Sequence, residues 1–238
     1  MKILPKGVTA PKGFAANGLS CGIKRSGKPD LSLIFSIKPC AAAGVFTKNS
    51  IKAAPLVVTA RHLRGKRAQA VVANSGNANC FTGHFGLVYA RKTAQLFARL
   101  LKIKPADVIV ASTGIIGKPL PYQKIANAAA HIVKGLSPAR GLLAAKGILT
   151  TDTFTKETAV RLSLGGKTVT IGACAKGSGM ICPDMATMLC FITTDAAISA
   201  GCLQQALKAA VDETFNCITV DGCICLLYTS DAADERIV

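Results

Sequence analysis

The sequence predicts a mixed architecture of sheets and helices, α/β or α+β in class. Three observations carry this expectation. Strand-like and helix-like stretches alternate along the chain, half of the 238 residues are hydrophobic, and no internal repeat or low-complexity run intervenes. A chain of this length forms one domain or two small ones, and it can bury a sizeable core without staples.

The elements follow in order. Residues 31–37 and 69–73 are rich in β-branched and aliphatic side chains and read as buried strands. Residues 84–101 read as an amphipathic helix, because Leu87, Ala90, Ala94, Phe97 and Leu101 recur at helical spacing. Residues 107–112 return as a strand that ends in Thr113-Gly114. Helices are predicted over 121–134 and 138–146, each begun near a Pro, which a first helical turn tolerates. Residues 158–164 and 167–174 flank Gly165-Gly166, a hairpin signal. A strand over 187–194 and a helix over 199–215, capped by Ser199, complete the pattern.

Composition excludes several classes. No apolar stretch is long enough to span a bilayer, and the first residues lack the apolar core of a secretion signal. Ten Cys are scattered through apolar runs, and no pair has Cys-x-x-Cys spacing, so reduced thiols in a cytoplasmic enzyme are expected. The net charge is +17, with 29 Lys and Arg against 12 Asp and Glu. These cations are spread along the chain and there is no Trp to stack on bases, so nucleic-acid binding is the weaker reading. A solvated basic face that attracts acidic substrates explains the charge better.

Thr187 carries the most chemistry. It follows the small Ala186 and opens the apolar run 188–192. Its hydroxyl can attack the carbonyl of Ala186, exchanging the amide for an ester that water then opens. The freed α-amine, with a reference pKa of about 7.7–8.0, is then the base that the hydroxyl needs. By residue type alone, a Thr at this place is a strand residue first. In the same way, Thr113-Gly114 is a turn, Lys176 a solvated cation and Thr153 a cap.

Six blocks change that balance. They are Gly7 to Phe14, Ala43 to Thr47, Asn74 to Asn79, Ala111 to Gly117, Thr150 to Thr153, and the segment from Lys176 to Leu189 around Thr187. In this order they resemble the ornithine acetyltransferase family, ArgJ. The resemblance implies a layered sandwich of sheets and helices of the self-cleaving type, cut between Ala186 and Thr187. It also implies Thr187 as nucleophile, Thr113 and Gly114 as the oxyanion hole, and Thr153, Lys176 and Thr187 as substrate-binding residues. The implied reaction is ping-pong: acetyl passes from N-acetylornithine to Thr187, ornithine leaves, and glutamate takes the acetyl. Acetyl-CoA is an alternative donor in some members. No metal or organic cofactor is implied, and the assembly expected is a heterotetramer of two α and two β chains, with neither membrane nor nucleic acid as partner.

Some positions have no assigned role. Asn74, Asn77 and Asn79 are turn formers that could shape a pocket, and His62, His84 and His131 match no catalytic position. Asp184 stands where the family usually has Asn, and Cys182 at a variable place.

The family pattern holds to Gly222, and the run from Cys225 to Glu235 resembles a translated library adapter. The organisation expected is therefore an α-chain part over 1–186, the start of a β chain over 187–222, and a non-native tail over 223–238, with the fold incomplete at its C-terminal side and activity at best weak. Two rival classes stand beside this one: a self-cleaving aminopeptidase or amidase of the same fold, and a basic nucleic-acid-binding module.

Overall fold

A computed structural model describes residues 1–47, 49, 51–179 and 188–220. Two four-stranded sheets organise the chain. The first contains β1 (Lys2–Leu4), β6 (Lys156–Leu164), β7 (Lys167–Lys176) and β8 (Leu189–Thr194), in the order β1-β6-β7-β8 and antiparallel throughout. The second contains β2 (Phe14–Leu19), β3 (Leu31–Ala41), β4 (Arg67–Asn77) and β5 (Val108–Ile115), in the order β2-β3-β4-β5. Among the described residues only the β4–β5 pair is parallel, and α2 (Gly83–Leu101) makes the crossover that parallel strands need.

Period-two alternation sends the strands' side chains to two different cores. Leu31, Leu33, Ala70, Val72, Val108 and Val110 face one side. There they meet α1 (Ala54–His62), α2 and α3 (Tyr122–Lys134), through Val58, Phe97 and Ile125 among others. Ile34, Ala73 and Ala111 face the other side, against α4 (Gly141–Gly147) and Cys174 of β7. The layers thus run helices, the β2-β3-β4-β5 sheet, the short α4, then the β1-β6-β7-β8 sheet. Gly18 sets the spacing of α4, because a β-carbon there would lie 2.0 Å from the carbonyl oxygen of Leu143.

Several expectations are corrected in their bounds. Residues 138–146 were expected to be helical from Pro138, but α4 starts only at Gly141; a turn held by the Ser137 hydroxyl, which accepts from the N–H of Ala139 at 3.1 Å, precedes it. Thr113-Gly114 does not follow a strand that stops at Ser112. It lies within β5, because pairing with β4 continues through Ser75↔Thr113 and Gly76↔Gly114. The strands β1 and β2 and the helix α1 were not anticipated. The last α-helix among the described residues, α5, spans Ala200–Glu213, with the Ser199 hydroxyl accepting from the N–H of Cys202 at 3.2 Å as an N-cap. No described helix is long and apolar enough to cross a membrane.

Candidate active site

The parallel ends of β4 and β5 build one wall of the site. Gly114 has φ +130° and Gly76 has φ +96°, both in the left-handed half of backbone space that favours glycine. A β-carbon on Gly114 would stand 2.5 Å from the carbonyl carbon of Gly76 and 2.6 Å from the nitrogen of Asn77. The two strand ends therefore touch backbone to backbone, which fixes the peptide around Thr113 and Gly114.

The Asn block locks this arrangement. The Ser112 hydroxyl donates to Oδ1 of Asn74 at 2.6 Å, and Nδ2 of Asn74 donates to the carbonyl of Asn77 at 2.8 Å. Nδ2 of Asn77 donates to the carbonyls of Lys118 and Pro119, while its Oδ1 accepts from the N–H of Asn79 at 2.8 Å. All three Asn are buried. They shape the β4 and β5 ends from within, as satisfied buried amides should.

The opposite wall comes from the other sheet. Lys176 is the last residue of β7 and is only 4% exposed. Its ammonium donates to Oγ1 of Thr113 at 3.3 Å, joining the two sheets at the site. The next residue, Gly177, donates its N–H to Oδ1 of Asp152 at 2.8 Å, and Lys156 donates to the same oxygen at 2.6 Å. Burial alone would raise the Asp152 pKa. Hydrogen bonds from Lys156, Gly177 and Thr150 outweigh it and hold the carboxyl below its ordinary range. The hydroxyls of Thr151 and Ser178 meet at 2.7 Å. The loop around 150–153 is thus tied to the strand that leads toward the predicted scissile bond.

The structure brings together Thr113, Gly114 and Lys176, and it puts Thr153, exposed, on the loop clamped beside Lys176. Ala186 and Thr187 lie outside the described residues, as do Cys182 and Asp184. His62 ties α1 to β5 through Nδ1, 2.8 Å from the carbonyl of Val108, and takes no place at the site. Burial pushes the thiol of Cys21 up to about 12 and that of Cys190 to about 11, so both stay protonated at neutral pH. Among the described residues no group of three or more His, Cys, Asp and Glu gathers as a metal site would.

Two contributors escaped the sequence. Asp152 sat inside a quoted block without a role, and its clamp on Gly177 gives it one. Lys24 looked like one cation among many. It is half-buried, and its pKa is lowered by burial first, with Lys28 and Lys176 adding repulsion against the opposing pull of Asp30 and Asp152. Buried position beside fixed charges is a property of the fold, so no local pattern could have marked either.

Residues 15–233 match the ArgJ family. The chain belongs to that family. It is 54% identical over 224 residues to the arginine biosynthesis bifunctional protein ArgJ of Symbiobacterium thermophilum, a match that covers 93% of this chain and 56% of that protein. The chain therefore spans little more than half the length of such a relative. Among solved structures, ornithine acetyltransferase of Mycobacterium tuberculosis, complexed with ornithine, superimposes with TM-score 0.72 at 42% identity. That match covers 78% of this chain and 99% of the other. ArgJ of Bacillus halodurans gives the same TM-score at 39% identity, covering 78% and 97%. The layered sandwich described above is thus the ArgJ sandwich.

Proposed function

We propose that this ArgJ-family chain carries the first part of a self-cleaving acetyltransferase of arginine biosynthesis, which moves acetyl from N-acetylornithine to glutamate. The observation that carries the reading is the bond from the Lys176 ammonium to Oγ1 of Thr113. An ammonium can only donate, so it occupies a lone pair of the hydroxyl and leaves the hydroxyl proton free to donate elsewhere. It also polarises that O–H, which strengthens the donor. Beside it, the backbone N–H of Gly114 is held by the contact with Gly76. Two such donors, fixed before the reaction, suit an oxyanion, and each is worth about 2.7–4 kcal/mol in the transition state.

The nucleophile in this reading is Thr187. Its hydroxyl oxygen attacks the carbonyl carbon of Ala186 and the C–N bond breaks, leaving an ester and a free amine. Water opens the ester, giving Ala186 a carboxyl end and Thr187 its hydroxyl back. In transfer, the Thr187 hydroxyl attacks the acetyl carbon of N-acetylornithine while its α-amine takes the hydroxyl proton and passes it to the departing ornithine nitrogen. The amine of glutamate then attacks the acetyl ester and regenerates Thr187. The acetyl is carried covalently, so the cycle runs without an added cofactor.

One finding supports scission and a second supports the transfer. The solved chains of the relatives are matched almost end to end by 78% of the 238 residues here, about 186, the length that a cut before Thr187 leaves. The relative from M. tuberculosis binds ornithine, the product that the first half-reaction releases. A cytoplasmic heterotetramer of two α and two β chains, with acetyl-CoA as a second donor, belongs to the same proposal.

Intact-mass measurement tests the central step. The wild-type chain should split at the bond between Ala186 and Thr187, and Thr187→Ala should stay whole. Incubation with N-acetylornithine and glutamate should then yield ornithine and N-acetylglutamate, with acetyl-CoA as donor in a parallel arm and native mass giving the assembly. An uncut wild-type chain that still transfers acetyl would overturn the reading.

A further inference from the structure

Lys24 reaches the site from a third element. It lies on the connection between β2 and β3, which a fully buried carboxylate shapes: Asp30 accepts from the N–H of Cys21 at 2.6 Å and from the N–H of Lys24 at 2.9 Å. The carbonyl of Asp30 accepts from the N–H of Ser75 at 2.9 Å, so the same residue pins the connection to β4, next to Gly76. The stem of Lys24 lies over that glycine, because a β-carbon on Gly76 would stand 3.0 Å from its Cγ. Gly76 in turn pairs with Gly114. The ammonium of Lys24 donates to the carbonyl of Pro29 at 2.7 Å, its one hydrogen-bond partner among the described residues, and an ammonium has three N–H donors to give.

The Lys176 ammonium thus bonds Thr113 from β7, and the stem of Lys24, on the β2–β3 connection, lies over Gly76, the strand partner of Gly114. Their mutual repulsion, already felt at Lys24, is relieved by an anion placed near both. The substrates of the proposed reaction supply one. In an α-amino acid the carboxylate is two bonds from the reacting nitrogen, so an acetyl oxygen at Thr113-Gly114 brings the carboxylate close by.

The geometry points to Lys24 as a substrate-positioning residue, whose ammonium holds the α-carboxylate of the amino-acid substrate beside Thr113 and Gly114. The inference rests on the acetyl-transfer reading and assigns that site a selectivity for α-amino acids over the corresponding simple amines.

Calorimetric titration of the whole chain with L-ornithine, and with putrescine, its counterpart without the carboxylate, tests the assignment without any turnover. Wild type should bind ornithine more tightly than putrescine. Lys24→Met should weaken ornithine about tenfold or more, the usual worth of a charge-assisted hydrogen bond, and leave putrescine unchanged. Lys24→Arg should retain ornithine binding within about threefold, and its melting point guards against a folding effect. An ornithine preference that survives in Lys24→Met, or a loss equal for both amines, overturns the role of Lys24 and leaves acetyl transfer standing. A wild-type chain that cleaves itself but binds neither amine overturns both.

Discussion

The buried ammonium of Lys176 and the hydroxyl of Thr113 meet at 3.3 Å, across 63 residues of sequence and from different sheets. This contact makes the site a seam between two halves of the sandwich rather than a pocket in one. Replacing Thr113 by Val removes the acceptor and the proposed oxyanion donor together. Turnover should fall about 10²–10³-fold, and stability by about 1–3 kcal/mol. Thr113→Ser should keep most of both. Acetyl-transfer kinetics beside urea melts will check this, and a Val variant with wild-type turnover would remove Thr113 from the mechanism.

Gly114 should be intolerant of any side chain. Its β-carbon would enter the backbone of Gly76 and Asn77 at 2.5–2.6 Å, with φ at +130°. Gly114→Ala should cost about 3 kcal/mol or more. Gly76→Ala should cost less, since its nearest neighbours at 3.0 Å are the side chains of Ile23 and Lys24, which can move. Comparable denaturation midpoints for the two variants would refute the backbone contact as the reason.

Asp152 gives the fold an acid-sensitive clasp. Its pKa is depressed in the folded chain, so its contribution is present above the unfolded value of about 3.9 and is lost as pH falls through the folded one. Asp152→Asn should be less stable than wild type by about 1.5–3 kcal/mol at pH 7. The gap should begin to narrow below about pH 4 and close only once the pH is below the depressed folded value. Thermal melts across that range decide the matter; a gap that does not vary with pH would mean the charge is irrelevant.

Glu157 should show the opposite sign. Burial raises its pKa, and its Oε2 is enclosed without a hydrogen-bond partner among the described residues. The folded state therefore holds the proton more tightly, and stability declines as pH rises through the folded pKa. Glu157→Gln should melt about 2–4 °C higher than wild type at pH 7, a gain of about 1 kcal/mol. It should match wild type below about pH 4. Equal melting points at both pH values would show that the carboxylate finds relief in solution.

Local pattern made much of the fold legible. The α2 helix was readable nearly to the residue because its apolar stripe is long and regular. The β6–β7 hairpin was readable because Gly165 and Gly166 take φ +54° and +75°, as a tight turn requires. By contrast, β1 is three residues long with no alternation to read, and it exists because it pairs with β6. The α1 helix was missed because its buried face becomes apparent only against β5.

What the sequence by itself determined is the class of fold, the family, and the residue types able to do acyl-transfer chemistry. These rest on periodicity and on ordered local motifs, which involve neighbours in the chain. Only the tertiary structure decided that Thr113-Gly114 is strand rather than turn, that Lys176 is buried rather than solvated, and that Asp152 and Lys24 belong beside them. Hydrogen bonds and charge effects depend on distance in space, and folding alone sets which distant residues come within a few ångströms of each other.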